Sequence, residues 1–308
     1  MDRVGARTRF LIASAAVLLG VGASRAPALP LRELNWVAPE AAFRSLTRQP
    51  RECFAPLESW EARRSAAIGR AAFRTPLLLG GQAARAGLSC ASCHRNGRDN
   101  PSFLFPGLSG AAGTADVTSS IMSEHRGDGT VNPKHIPDLA GPAAARIVSR
   151  APGSRALESF IRGLIVEEFD GPEPSPAVLD GLAAYVRGIG AEECGKGEVP
   201  ITLAAKLDEA NAAVALSLDA DRETKRLLIA SARSTLGEID ERFRLPGLER
   251  SRALLRDADA ELRSIRAENG DAYAWLGTWP DRRRRLLIEG KRSLYAPAVL
   301  RRALAERR

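Results

Sequence analysis

The stretch Cys90-Ala91-Ser92-Cys93-His94 places two thiols and an imidazole within five consecutive residues. Two cysteines three apart share one side of a helical turn. The spacing Cys-x-x-Cys-His is that of covalent haem attachment. Each sulfur adds to one vinyl group at the porphyrin edge, and two thioether bonds result. The residue that follows the second cysteine then lies under the iron and supplies a ring nitrogen as the proximal ligand. Two other chemistries fit the residue types. A zinc site asks for a second pair of ligands, and no second Cys-x-x-Cys occurs in the chain. A thioredoxin-like redox pair asks for a βαβ setting, which the flanking residues do not suggest. The expectation is one covalent haem c, attached through Cys90 and Cys93, with His94 on the iron.

A six-coordinate iron needs one more ligand. Met122 is the only methionine after the initiator and is the first choice. His125 is the second, and three residues apart the two would face the same way on a helical turn. His135 precedes Ile136-Pro137 in an extended run and is the weaker histidine. A sixth site without a protein ligand is the remaining alternative. Glu124 could serve as a distal acid or base if the site is open. The acids Asp116, Glu124 and Asp128 lie close in sequence, but their spacing fits no calcium loop.

The elements that would position these residues follow from periodicity. Trp60 to Phe73 has helical spacing, with Trp60, Ala67, Ile68 and Phe73 able to share a face. Pro76 and Gly80-Gly81 end it. Residues 156–168 form an amphipathic helix with the stripe Leu157, Phe160, Ile161, Leu164 and Ile165. After a Gly/Pro turn, Ser175 caps a second helix that has Pro176 at its first position. Its apolar face comprises Val178, Leu179, Leu182, Tyr185, Val186 and Ile189, and Gly190 closes it. Between these helices and the haem motif, Arg95 to Pro142 is rich in Gly, Ser, Pro and Asp and shows little periodicity. Loops of that length are often functional, and wrapping a flat apolar cofactor is one such function. Residues 29–58, rich in Pro and Arg, read as an extended surface segment.

Composition bounds the rest. The chain of 308 residues is 44% hydrophobic and 27% charged, with a formal net charge of +8. The leader accounts for +3 of that charge, and the stretch from Asp281 to Arg308 holds ten Lys or Arg against three Asp or Glu. The basicity therefore belongs to the C-terminal tail. That tail could touch an acidic membrane surface or an acidic partner, or be only a solvated helix. No nucleic-acid partner is expected. Residues 1–28 read as a secretory signal: Arg3, Arg7 and Arg9, then the apolar run Phe10 to Val21, then small residues. An uncleaved N-terminal anchor is the alternative. Export to the periplasm permits a disulfide, and Cys53 and Cys194 are the cysteines that haem does not use. Residues 29–197 read as the haem domain. Residues 198–308 read as a helical hairpin or small bundle, with helices over 201–218, 222–243, 248–267 and 281–306. Leu255, Ala258, Leu262 and Ile265 carry a seven-residue spacing there. The fold class expected is all-α.

Residues 60 to 190 resemble the haem domains of the bacterial di-haem cytochrome c peroxidase and MauG family. The resemblance is carried by AGLSCASCH at 86–94, NPKHIPDLAG at 132–141 and SRALESFIRGLIVEEFDGPEPSPAVLDGLAAYVRGI at 154–189. It implies a mostly helical cytochrome c fold around the haem, with Cys90 and Cys93 as thioether sites and His94 as proximal ligand. The chain departs from the family in two ways. Family members carry two Cys-x-x-Cys-His motifs, and this chain has one. The loop that often brings a Met or His ligand corresponds to Ala140–Ala156, which contains neither. The function expected is electron transfer by an exported single-haem cytochrome with a redox partner protein. The alternative is a peroxidase-like haem enzyme with an open or displaceable sixth site. That enzyme would draw electrons from Tyr185, a tryptophan or a partner cytochrome. A third reading is a sensor or assembly module whose C-terminal half binds a partner.

Overall fold

Residues 29–58 are not a surface strap. In the computed structural model, which describes residues 29–118, 121–125, 127, 129–190, 197–268 and 270–306, this segment is folded into the core. Leu31, Trp36, Val37, Ala38, Leu46 and Cys53 are all buried. Two short 3-10 turns, Arg32–Asn35 and Pro39–Ala41, lead into helix α1 (Ala42–Thr47) and strand β1 (Arg48–Pro50). The Pro and Arg content suggested solvent, but the apolar residues between them all find partners. Leu31 and Leu46 pack with Leu294 and Leu300 near the other end of the chain. The leader 1–28 and Cys194 lie outside the described residues. No helix among the described residues is long and apolar enough to cross a membrane.

Helix α2 (Trp60–Phe73) has the bounds its periodicity suggests, with Ser59 Oγ accepting from the Ala62 backbone N–H at 3.0 Å. Its buried face is Ala66, Ile68, Gly69, Ala72 and Phe73. Trp60, expected on that face, is 60% exposed at the first turn. After α2 come α3 (Pro76–Leu79), α4 (Gly81–Ala86) and the single turn α5 (Cys90–Cys93). Among the described residues between 95 and 141, the regular elements are a 3-10 turn at Arg95–Gly97 and the two-residue strands β2 (Thr114–Ala115) and β3 (Lys134–His135), paired antiparallel. Helix α6 (Pro142–Ile147) follows. Then α7 (Ala156–Gly163) runs on through a wider π turn at Leu164–Glu168, and α8 spans Pro176–Gly188.

Helix α8 is capped by Ser175, whose Oγ accepts from the Val178 N–H at 3.4 Å. It crosses α2 at an unusually close point. A Cβ on Gly69 would lie 1.8 Å from the Gly181 carbonyl oxygen, and one on Gly181 would lie 2.7 Å from the Ser65 carbonyl oxygen. Any other residue at either position would push the backbones apart. The crossing brings Ile68, Phe73, Leu182, Tyr185 and Val186 into one core, against which Cys90 and Ala91 pack. The cysteine turn is thus seated against the α2–α8 pair. In α7 the stripe is only partly used: Leu157 and Ile165 are buried, while Phe160 is 41% exposed.

Strand β4 (Glu198–Pro200) pairs antiparallel with β1 and begins the second half of the chain. Helices α9 (Leu203–Leu216), α10 (Arg222–Arg242), α11 (Glu249–Arg266), α12 (Ala272–Glu289) and α13 (Pro297–Ala305) follow. The chain is therefore mostly helical, as an all-α class requires. The last long helix differs from expectation. It starts at Ala272, behind the cap of Asp271, and runs through Pro280 instead of starting after it. Trp275 and Trp279, buried and stacked with centroids 4.5 Å apart, fix the turn that Pro280 interrupts. Leu255, Ala258, Leu262 and Ile265 all lie in the bundle core with them. The two halves meet through Leu228 of α10, which is buried in the α2–α8 core, and through the β1–β4 pair.

Candidate functional site

The turn α5 is held at both ends. The Ser89 backbone N–H donates to Ser92 Oγ at 3.1 Å, and Asn100 Nδ2 donates to the Ser92 carbonyl at 2.8 Å. Cys90 and Cys93 are both free thiols, three residues apart on this turn. Cys90 touches two apolar clusters. One is the α2–α8 core already described. The other contains Trp36, Val37, Leu79, Leu88, Phe103, Leu108 and Ile136, and Cys93 packs against it as well. Burial pushes both thiols up to about 12. Redox-active Cys-x-x-Cys pairs need the opposite shift, because the thiolate is the nucleophile. The site is therefore poorly suited to disulfide exchange.

His94 leaves the turn in a defined orientation. Its Nδ1 lies 3.0 Å from the Pro137 carbonyl oxygen, so this nitrogen carries the proton and Nε2 is left as the lone-pair donor. Burial pushes the ring down to about 4, against the opposing pull of the Pro137 carbonyl and Asp138, so the imidazole stays neutral at physiological pH. A neutral ring with one nitrogen pinned and the other free is the form in which histidine binds a metal. Phe73 leans on the ring with centroids 6.4 Å apart.

The Pro137 carbonyl is itself held in place. The Leu139 N–H donates to the Gly97 carbonyl at 3.1 Å, and Arg98 binds Asp138 through Nε at 2.8 Å to both carboxylate oxygens. Those contacts need the chain to reverse straight after His94. Asn96 does so with φ of 50°, its side chain donating to the Pro50 carbonyl at 2.8 Å and accepting from Arg74 at 2.6 Å. Asparagine tolerates that left-handed conformation better than most residues. Pro137, Arg98 and Asp138 were not singled out from sequence. Pro137 and Asp138 lie about forty residues along the chain from the motif, and only the fold brings them under the histidine.

The expected sixth-ligand residues separate clearly. Met122 is 1% exposed and belongs to the apolar cluster that packs on Cys90 and Cys93. Its neighbour Ser123 donates through Oγ to the Glu167 carbonyl at 2.5 Å, which ties this loop to the end of the π turn. His125 faces the other way: its side chain is 67% exposed and its Nε2 lies 3.7 Å from Asp170. The two therefore do not share a face. His135 is exposed in β3. Glu124 is exposed too, with its backbone N–H on Asp170 at 2.9 Å.

Other expected features are accounted for locally. Asp116 accepts from Thr118 and from the Asn132 backbone, and Asp128 lies outside the described residues. Among the described residues no three His, Cys, Asp or Glu side chains are grouped so as to hold a bare metal ion. In the basic run, Arg282 pairs with Glu261, Arg283 with Asp208 and Arg284 with Asp281. Most of that charge is thus neutralised on the bundle surface. Tyr185 is buried and donates to Glu52 at 2.6 Å.

Compared with protein-family models, with curated proteins and with solved structures, the chain matches none of them. The functional reading therefore rests on the residues themselves. Two thiols on one turn, a neutral histidine with its rear nitrogen fixed, and an apolar surround that includes a buried thioether are the groups a covalent haem requires.

Proposed function

We propose that this protein is a cytochrome of c type carrying one covalent haem and transferring electrons, its haem half having a cytochrome c-like fold. Cys90 and Cys93 would hold the porphyrin, and His94 and Met122 would ligate the iron. The observation that carries the reading is the His94–Pro137 hydrogen bond combined with the burial of Met122 in the cluster that receives both thiols. Haem supplies the redox chemistry when bound. The protein's residues orient the imidazole, exclude water and set the local polarity. Two fixed protein ligands would leave little to rearrange on reduction, which suits a carrier. The Met122 thioether would favour the ferrous state and a high potential. The peroxidase alternative needs an open iron site and a group to move protons there. Glu124, its candidate, is exposed, and its contact with Asp170 is made by its backbone N–H.

The test is the electronic spectrum of holoprotein made with a cytochrome c maturation system. The oxidised protein is expected to be low-spin, with a sulfur-to-iron charge-transfer band in the red that Met122→Ala abolishes. An unchanged spectrum in that variant, or a high-spin wild type that reacts with peroxide, would replace the carrier with the enzyme. Export to the periplasm and a redox partner protein belong to the same proposal, as does a kinship with the di-haem peroxidases.

A further inference from the structure

The seam between the two halves contains a polar cavity of about 150 Å³. Its walls come from three places: Glu33 and Trp36 of the N-terminal segment, Ser92 and Arg95 beside the cysteine turn, and Lys206 and Arg242 of the bundle. A single buried water needs only about 10–15 Å³, so the space admits a small molecule. Six cations line it, and five of them have a carboxylate of their own. Arg32 pairs with Glu241 and Lys206 with Glu238, each at 2.7 Å, and Arg74 pairs with Glu209 at 3.0 Å. Arg70 holds Glu52 at 2.8 Å, and Arg242 holds Glu33 at 3.2 Å. Arg95 is the cation left over. It makes no ion pair with the described residues, and its one hydrogen bond runs from Nη2 to the Ser45 carbonyl at 2.7 Å.

The geometry gathers the unmatched donors on one wall. Arg242 Nη1 donates to the next carbonyl along, that of Leu46, at 2.9 Å. The Ser45 and Leu46 carbonyls belong to the last turn of α1, where no helical N–H reaches them. Two guanidinium groups are thereby drawn to consecutive carbonyls, with Glu33 as the one carboxylate paired there. The Arg242 guanidinium also covers the Tyr295 ring, 4.7 Å from its centroid. Tyr295 lines the same cavity, and its hydroxyl makes no hydrogen bond with the described residues. Burial pushes that hydroxyl above its ordinary value, so it stays a protonated donor. Capping α1 engages one N–H of Arg95 and leaves the rest of its fork free. The cavity therefore offers one positive charge and two kinds of unpartnered donor, while its carboxylates are committed to other cations. Water would satisfy the hydroxyl but not the charge. An anion with several oxygens does both, since a guanidinium fork matches an oxoanion and a hydroxyl can donate to a further oxygen. We propose that this cavity binds one small oxoanion, of the size and charge of inorganic phosphate, between the Arg95 guanidinium and the Tyr295 hydroxyl. The ligand would then clamp the N-terminal segment, the residues after the motif and the bundle at a single point. The inference does not depend on the haem reading.

Isothermal titration calorimetry decides it, with inorganic phosphate added to the full chain in phosphate-free buffer at fixed ionic strength. Four proteins are compared: wild type, Arg95→Gln, Tyr295→Phe and Arg285→Gln. Arg285 is exposed in the basic run and reports on loose phosphate binding to that surface. Wild type is expected to bind one phosphate per chain saturably. Arg95→Gln should weaken binding roughly ten-fold or more, and Tyr295→Phe roughly three-fold, as expected for losing a charged and a neutral hydrogen bond. Arg285→Gln should bind as wild type does. Absence of saturable binding in the wild type overturns the proposal. So does an affinity unchanged in both Arg95→Gln and Tyr295→Phe, which would leave Arg95 only its capping of α1. A loss in Arg285→Gln equal to that in Arg95→Gln would assign the phosphate to the basic surface and overturn it as well. Should Arg95→Gln fail to accumulate, Arg95→Lys takes its place, keeping the charge without the fork. Wild-type affinity in both Arg95→Lys and Tyr295→Phe then overturns the proposal equally.

Discussion

The two halves of the molecule reach a buried interior by different means. From 203 onward the core is made of side chains on long helices: Leu207, Val214, Leu236, Leu255, Leu262, Trp275 and Trp279 close on one another. In the N-terminal half, the described residues between Arg95 and Pro142 contain almost no regular structure, and the apolar clusters meet at a two-cysteine turn. A bundle needs only its own periodicity. A loop-rich half needs something flat and apolar to fold around, which is why the proposed cofactor and the local irregularity belong together. Breaking the haem attachment should therefore damage one half far more than the other.

The largest effect is expected from Cys90→Ala with Cys93→Ala. The double variant should carry no haem through acid–acetone extraction. Its haem half should become susceptible to proteolysis between 95 and 142 while the bundle remains helical by circular dichroism. Equal loss of structure in both halves would mean that the haem half and the bundle form one cooperative unit, and the contrast drawn above would fail.

Next in size is the effect of the expected bridge between Cys53 and Cys194. Cys53 is fully buried beside the motif, with Arg98 Nη1 3.5 Å from its sulfur. A bridge from it to the segment after α8 would close a long loop around the whole haem half, worth about 4 kcal/mol by the chain-entropy argument. Cys53→Ser should lower the melting temperature of the haem half and leave the bundle transition in place. Two titratable thiols in the denatured, unreduced wild type would show that no such bridge forms.

The helix crossing comes third. Gly69→Val puts a side chain where even a Cβ would meet the Gly181 backbone at 1.8 Å. Overpacking at such a point costs about 3 kcal/mol, and chemical denaturation of the holoprotein would register it. Because the crossing seats α5 and Phe73 against His94, the same variant should also broaden the haem's absorption bands. A stable variant with a wild-type spectrum would show that the crossing does not position the ligand.

Much of this contrast was legible beforehand, and unevenly so. The bundle helices and α2 and α8 follow from periodicity and caps, because those signals are local. The motif follows from spacing alone. What was missed depends on chain return. Residues 29–58 look polar until the partners of Leu31 and Leu46 are known. Trp60 sits on the apolar stripe by arithmetic, yet the neighbouring core does not extend to the first turn of α2. Pro280 looks like a helix end because the stacked tryptophans that support it become neighbours only once the bundle closes. At the site, Pro137 and the Arg98–Asp138 pair act through single contacts formed across long loops, and no periodicity marks such residues.

The smallest expected effect probes the seam between the halves, where the contrast should blur. Arg74, the residue that follows α2, reaches across to Glu209 of α9 at 3.0 Å while also holding Glu52 and Asn96. Lys206 lies 3.6 Å from Glu209 and 2.7 Å from Glu238. Burial alone would raise the Glu209 carboxyl, but Arg74 and Lys206 outweigh it and hold the group far below its ordinary value of 4.5. A carboxyl depressed in the folded state contributes stability that is fully present above its unfolded value. That contribution is lost as pH falls below 4.5 toward the folded value. Glu209→Gln keeps the shape and removes the charge, and at neutral pH it should cost about 2 kcal/mol, the worth of a charge-assisted hydrogen bond. The gap between variant and wild type should then narrow progressively in acid, because protonation does to the wild type what the substitution does at every pH. Glu52, which faces the same arginine, is depressed for the same reason and remains in both proteins, so the difference between the two melting curves isolates Glu209. A gap independent of pH would mean that Glu209 acts through packing alone, and the seam would then be an ordinary helix interface without electrostatic coupling.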